Sequence, residues 1–245
     1  MNGILVSIIV GLCAGFGSLP LIFVKTIPTA VKNGLLGFAG GIMVFASSFN
    51  LIQPALKEGS IIAVIGGIIT GTLIITIIEF TVPHLHADDY RKDKKRSSFY
   101  KTLLLGIAVA IHNIPEGFAI GVGYGTGKIA TGLNLALAIG VQNIPEGLVV
   151  AASMIEEGNS KLKSILFSFL TGLGEPIAAI FGLLTIGFTS KYMPFILSLT
   201  AGAMFYVVSH ELIPESHCDG NELIATYGFI LGLILMIVFR TVIGE

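Results

Sequence analysis

Charged side chains are scarce in this 245-residue chain. Asp, Glu, Lys and Arg make up 12% of it, where a soluble domain carries roughly 25%. Cysteine is scarcer still: Cys13 and Cys218 are the two, far apart in sequence. That excludes a disulfide framework and any zinc-knuckle spacing. The formal net charge of −1 offers no basic surface for nucleic acid and no strongly acidic one either. What fills the chain instead is apolar. Hydrophobic residues are 53% of it, and the mean hydropathy is +0.89. The apolar runs recur along the whole length, so the expectation is an all-α integral membrane protein.

A spanning helix needs about 20 mostly apolar residues. Eight such segments fit, at about 3–24, 34–56, 60–80, 100–124, 129–154, 162–188, 192–215 and 223–243. The first is long, lacks a basic start and is followed by further apolar segments, so it reads as a span rather than a signal peptide. One connection, about 81–99, is long and densely charged; the expectation is a single transmembrane domain with no separate soluble part. With eight spans, Lys25, Lys32, Arg91, Lys92, Lys94, Lys95, Arg96, Lys101, Lys161 and Lys163 share one side, against Lys57, Lys128, Lys191 and Arg240 on the other. Positive charge marks the cytoplasmic side, which puts the 81–99 loop inside and both termini outside. The basic run Arg91 to Arg96 is then a topogenic and lipid-facing cluster.

The informative pattern lies in the fourth and fifth segments. Ile111-His112-Asn113-Ile114-Pro115-Glu116-Gly117 is nearly repeated as Val141-Gln142-Asn143-Ile144-Pro145-Glu146-Gly147. His112 and Glu116 are four residues apart, as are Gln142 and Glu146, so each pair falls on one helix face. Asn113 and Asn143 are rotated by about 100° from the first position. One helix pair therefore presents two ligand rows, with room for two neighbouring ions sharing Glu116 and Glu146. Mixed imidazole, carboxylate and amide donors suit zinc, iron(II) and manganese(II), not a thiolate copper(I) site. Pro115 and Pro145 cannot donate to the carbonyls of Ile111 and Val141, and freed carbonyls at membrane depth are tolerated where they line protein or a watery cavity. Packing alone explains a lone buried His or Glu. Two carboxylates and a histidine in repeated motifs are harder to explain that way, because intramembrane charge is expensive. Glu175, in Gly174-Glu175-Pro176 of the sixth segment, is another carboxylate beside a proline.

These residues carry a resemblance. HNIPEG in a fourth helix and QNIPEG in a fifth, among eight helices with a polar loop between the third and fourth, resemble the ZIP (Zrt/Irt-like) metal-ion transporters, and most of all their prokaryotic GufA-like branch. The resemblance spans essentially the whole chain. It implies one metal site from His112, Glu116, Gln142 and Glu146, and an adjacent second from Asn113, Asn143 and Glu175 with Glu116 and Glu146 shared. Family members vary at the positions of Gln142 and Asn143, where His or an acidic residue can stand; neutral amides lower the charge here. The resemblance also implies a homodimer and alternating access by one helix group moving against another.

Potential ligands also collect at the inner ends of the third and seventh segments: Glu79, His84, His86, Asp88 and Asp89, and His210, Glu211, His217, Cys218 and Asp219. Ordinary solvated loop residues would look the same. A cytoplasmic exit through Glu79, His84, His86, His210, Glu211 and His217 is the functional expectation. His210-Glu211 lacks the second histidine of H-E-x-x-H, and Pro214 breaks the helix that motif needs, so a peptidase is set aside. No nucleotide-binding motif, activated nucleophile or prosthetic-group motif is present, which argues against an ATP-driven pump and an intramembrane enzyme.

The expectation is a carrier of divalent metal, zinc first and iron, manganese or cadmium after it, from outside into the cytoplasm of a prokaryotic cell, with the metal and the lipid bilayer as its partners. Two rivals use the same residues: a membrane metal receptor without translocation, and a proton-coupled carrier of a small solute.

Overall fold

The computed structural model describes residues 3–24, 26–83, 98–189, 192–218 and 220–243, with side chains omitted at 98–101, 186–189 and 243. Eight helices in it are long and apolar enough to cross a membrane. They are α1 (Gly3–Ile22), α2 (Thr29–Glu58), α3 (Ile61–Thr81), α4 (Thr102–Gly125), α5 (Ile129–Glu156), α6 (Lys161–Thr185), α7 (Met193–Ser216) and α8 (Glu222–Val242). No strand occurs among the described residues. The helices form because a long apolar run in lipid must satisfy its backbone hydrogen bonds within itself. Ser60 and Ser160 cap α3 and α6 by accepting from the backbone N–H of Ala63 and Lys163, which relieves orphan donors at those N-termini. His84, His86, Asp88, Asp89, Asp219 and the basic run 91–96 lie outside the described residues.

Helix α2 begins at Thr29 rather than near 34, so Lys32 lies inside it, 3% exposed. A lysine can sit there because its Nζ meets Glu156 Oε1 of α5 at 2.5 Å. Prolines are handled in three ways. Helices α4 and α5 run unbroken through Pro115 and Pro145. In α2 and α7 a π-helical turn, Ala46–Ile52 and Val208–Leu212, precedes Pro54 and Pro214. In α6 the helix breaks at 172–173, and the Gly172 carbonyl that Pro176 cannot reach accepts from Glu175 N–H at 3.3 Å. Wider turns of this kind cluster at functional sites.

The helices associate in two groups. The most extensive packing joins α4 to α6 and α1 to α5 in one group, and α2 to α8 and α3 to α7 in the other. Glycine makes these approaches close. A Cβ built at Gly71 of α3 would lie 1.8 Å from the Leu199 carbonyl oxygen of α7, and one at Gly41 of α2 would lie 2.1 Å from that of Phe229 in α8. Lipid offers no hydrophobic drive for helix association, so backbone-to-backbone van der Waals contact supplies it. Every such tight contact among the described glycines stays inside α1/α4/α5/α6 or inside α2/α3/α7/α8. The outer faces of α3 and α8 are apolar and bare, with Ile62, Phe80 and Val242 about four-fifths exposed, as lipid contact requires.

Candidate metal centre

A cavity of about 60 Å³ sits between the two groups, walled by α4, α5 and α6 on one side and by α2 and α7 on the other. His112, Asn113, Asn143, Glu146 and Glu175 line it, together with Glu211 and Glu215 of α7. Glu116 and Gln142 do not line it. They pack against each other behind it, both fully buried, with Gln142 Nε2 donating to Glu116 Oε1.

The motif glycines explain how these helices come so close. A Cβ at Gly117 would stand 2.2 Å from the Glu175 carbonyl oxygen, and one at Gly147 would stand 2.0 Å from that of Ala14. The final Gly of each repeated motif therefore seats a neighbour: α6 on α4, bringing Glu175 to the centre, and α1 on α5. Ser168 Oγ donates to the carbonyls of Ala14 and Gly147 at 2.9 and 3.1 Å, fastening α6 to both.

Each of the three amides is oriented the same way. Gln142 gives its nitrogen to Glu116. Asn143 Nδ2 donates to Glu175 Oε1 at 2.5 Å and to the Val10 carbonyl at 3.2 Å. Asn113 Nδ2 donates to the Thr171 carbonyl at 2.7 Å. With the nitrogens tied to protein acceptors, the amide oxygens are the atoms left to meet a cation. Several oxygens here are buried without a hydrogen-bond partner among the described residues: Glu116 Oε2, Gln142 Oε1, Glu146 Oε1 and Glu175 Oε2. An unmet buried acceptor costs about 1–3 kcal/mol, more for a charged group, and four on the neighbouring helices α4, α5 and α6 ask for a positive occupant. The donor set, carboxylate and amide oxygen plus one imidazole, fits a divalent transition metal. Among the described residues, however, no three His, Cys, Asp or Glu side chains converge closely enough to hold an ion by themselves. The groups stand in pairs: Glu116 with Gln142, Glu175 with Asn143, and His112 Nδ1 with Glu211 Oε2 at 2.9 Å.

The residues expected along an exit are dispersed. Glu211 points into the cavity. His210, next to it, is exposed and lies against the Tyr206 ring at a centroid distance of 5.0 Å. Glu79 is buried in α3, away from the cavity lining. His217 Nδ1 is 2.9 Å from the Ile213 carbonyl oxygen and its Nε2 is 3.3 Å from Thr226 Oγ1, which ties it to the α7–α8 turn. His84 and His86 lie outside the described residues. Glu215 was not singled out by the sequence reading, yet a signal was available. Ile213-Pro214-Glu215 is a third Ile-Pro-Glu, and Glu211 and Glu215 repeat the four-residue spacing of His112 and Glu116.

Comparison with known proteins agrees with this architecture. A family model described as ZIP zinc transporter matches residues 84–240. Zinc transporter GufA of Myxococcus xanthus is 34% identical over 251 aligned residues, covering 99% of both chains. Zinc transporter ZIPB of Bordetella bronchiseptica is 36% identical, covering 96% of this chain and 81% of the relative. Zinc transporter ZupT of Clostridium perfringens is 33% identical, covering 96% and 93%.

Proposed function

Since this chain belongs to the ZIP zinc transporter family, we propose that it carries divalent transition-metal ions, zinc foremost, into the cytoplasm through the centre between α4, α5 and α6. The family is one of membrane transporters, not enzymes, and the metal is cargo rather than a resident cofactor. The observation that carries the site assignment is the group of buried, unpartnered oxygens on Glu116, Gln142, Glu146 and Glu175. A dication would meet the oxygens that the protein leaves unmet, while each amide keeps its nitrogen bonded to the scaffold. Glu116 and Glu146 would neutralise the charge. His112 would contribute its imidazole on leaving Glu211, so that loading the centre and freeing Glu211 are one event. The cavity is bounded by Leu36, Leu105, Val150 and Glu215, all toward the end of the bundle where the basic residues predominate. That supports release to the cytoplasm. Bacterial relatives over nearly the full length support a prokaryotic cytoplasmic membrane as its location. The two helix groups, tight within and looser between, support transport by motion of α1/α4/α5/α6 against α2/α3/α7/α8.

The test is uptake of zinc, iron(II), manganese(II) and cadmium into proteoliposomes. Saturable flux in the native protein, lost in both Glu116→Ala and Glu146→Ala, is the expected result. Tight binding without flux would make the protein a receptor instead. Flux unchanged in the two variants would mean that the ion takes another path.

A further inference from the structure

A second cavity, of about 480 Å³, opens at the opposite end of the bundle, where α2 meets α3, α4 meets α5 and α7 begins. In the orientation proposed above this is the outer face. Its polar lining is Asn50, Lys57, Glu58, Thr126, Lys128, Thr131 and Asn134. Asn50 sits in the π-helical turn of α2, is 6% exposed, and keeps an amide N–H with no partner among the described residues, a donor for the oxygen of a water and not a ligand for a bare cation. Asn134 is 8% exposed on α5. At the rim, Lys128 Nζ lies 2.5 Å from Glu58 Oε1, with the two side chains 63% and 45% exposed. Lys57 is exposed beside them.

We propose that this vestibule is an intake site for a hydrated divalent cation, and that the ammonium of Lys128 is a tethered cation which the arriving metal displaces from Glu58. The inference rests on the inward metal transport proposed above. One carboxylate with neutral amide and hydroxyl oxygens cannot strip an ion of its water. Such a set does hold a hydrated ion through its water shell, which is what a wide, wet mouth needs. The exchange is easy because an exposed ion pair contributes little, about 0–1 kcal/mol, while the doubled charge of a dication offsets the greater distance that its water shell imposes. Lys57 opposes both cations and keeps the site weak, so that the ion moves on. The exchange has a structural consequence too. Glu58 belongs to the α2/α3/α7/α8 group and Lys128 to the α4–α5 connection, so the pair bridges the two groups at the outer rim. A metal that takes Glu58 unfastens them as it enters.

The sign of one substitution decides the matter. Lys128→Gln should lower the half-saturating metal concentration for uptake by about two- to fivefold, the effect of losing one exposed ion pair, and Lys57→Gln should lower it by less. Glu58→Gln should raise it. A higher half-saturating concentration in Lys128→Gln would overturn the proposal, since the lysines would then be serving an anion. An unchanged value would overturn it equally. A second readout does not depend on flux. Ala130→Cys on the cavity wall, in a Cys218→Ser background, is labelled from outside with an impermeant maleimide. Manganese(II), a poor thiol ligand, should slow labelling at millimolar concentration, also when Glu116→Ala is added. Loss of that protection in Glu58→Gln is expected, and absence of protection in the native background would refute the site. If the native protein shows no flux, the transport reading fails while the labelling still judges the vestibule.

Discussion

Gln142 is the residue on which the charge of the centre turns. Its amide does two things at once: the nitrogen bonds Glu116, and the oxygen is left without a partner. A carboxylate at that position offers two acceptors and no donor, so in Gln142→Glu the bond to Glu116 is replaced by two buried carboxyl groups face to face. The metal-free protein should lose about 1–3 kcal/mol, the cost of a buried polar group left unsatisfied. A zinc ion bridging the two carboxylates should more than restore it. Thermal unfolding in detergent, with and without zinc, reads both effects: a lower melting temperature without metal and a larger zinc-dependent rise than native. A variant as stable as native without metal would show that the hydrogen bond to Glu116 is not what holds that carboxylate. At this scale the sequence was only half legible. The repeated motifs announced His112, Glu116, Gln142 and Glu146 because four-residue spacing on a helix is visible in one dimension. Glu211 and Glu215 face the cavity lined by His112 and Glu146 from α7; the third Ile-Pro-Glu hints at Glu215, but the meeting itself depends on how α7 packs against α4. Nothing in the order of residues states such a contact.

Among the helices, apolar run length alone made the eight spans readable. It did not reveal that α2 starts early enough to bury Lys32, because the compensating Glu156 is more than a hundred residues away. Nor could it sort the glycines. Gly67/Gly71 and Gly117/Gly121 stand four residues apart and both pairs meet neighbouring backbones; Gly66, beside the first pair, does not. Helix α3 offers a controlled comparison. A Cβ at Gly71 would stand 1.8 Å from a carbonyl oxygen, whereas one at Gly66 meets only Phe195 Cε2, at 3.8 Å. Gly71→Ala should therefore cost about 1–3 kcal/mol through forced separation of α3 and α7. Gly66→Ala should be neutral or stabilising by up to about 1 kcal/mol, since Ala is the better helix former. Melting temperatures of the two variants check this directly. Equal losses in both would mean that glycine is needed along α3 for something other than its contact with α7.

For the molecule as a whole, the seam between α1/α4/α5/α6 and α2/α3/α7/α8 is where the proposed transport motion would act. Glycine-mediated backbone contact holds each group together, and no tight contact of that kind crosses the seam among the described residues. What crosses it includes pairs of ionisable side chains at three depths: Glu58 with Lys128 at one end, His112 with Glu211 at the centre, and Lys32 with Glu156 at the other end. These pairs differ in burial. Lys128 and Glu58 are exposed and exchangeable, whereas the Lys32 side chain is 4% exposed and that of Glu156 26%. A buried lysine cannot be left alone, and removing the partner of a buried charge costs about 3–5 kcal/mol. The partial exposure of Glu156 puts this pair toward the lower end. Lys32→Glu should thus destabilise the protein strongly and abolish uptake, by setting two carboxylates together across the seam. Glu156→Lys should do the same with two ammonium groups. If the pair is a fastening between the groups, and not merely a compatible neighbour, the double exchange Lys32→Glu with Glu156→Lys should recover most of the stability and a measurable part of the uptake. Recovery of stability without any uptake would show that the pair secures the fold but that its polarity also matters to transport. A double variant no better than either single one would mean that Lys32 is held by its burial in α2 rather than by Glu156, and the seam would then have no fastening at that end.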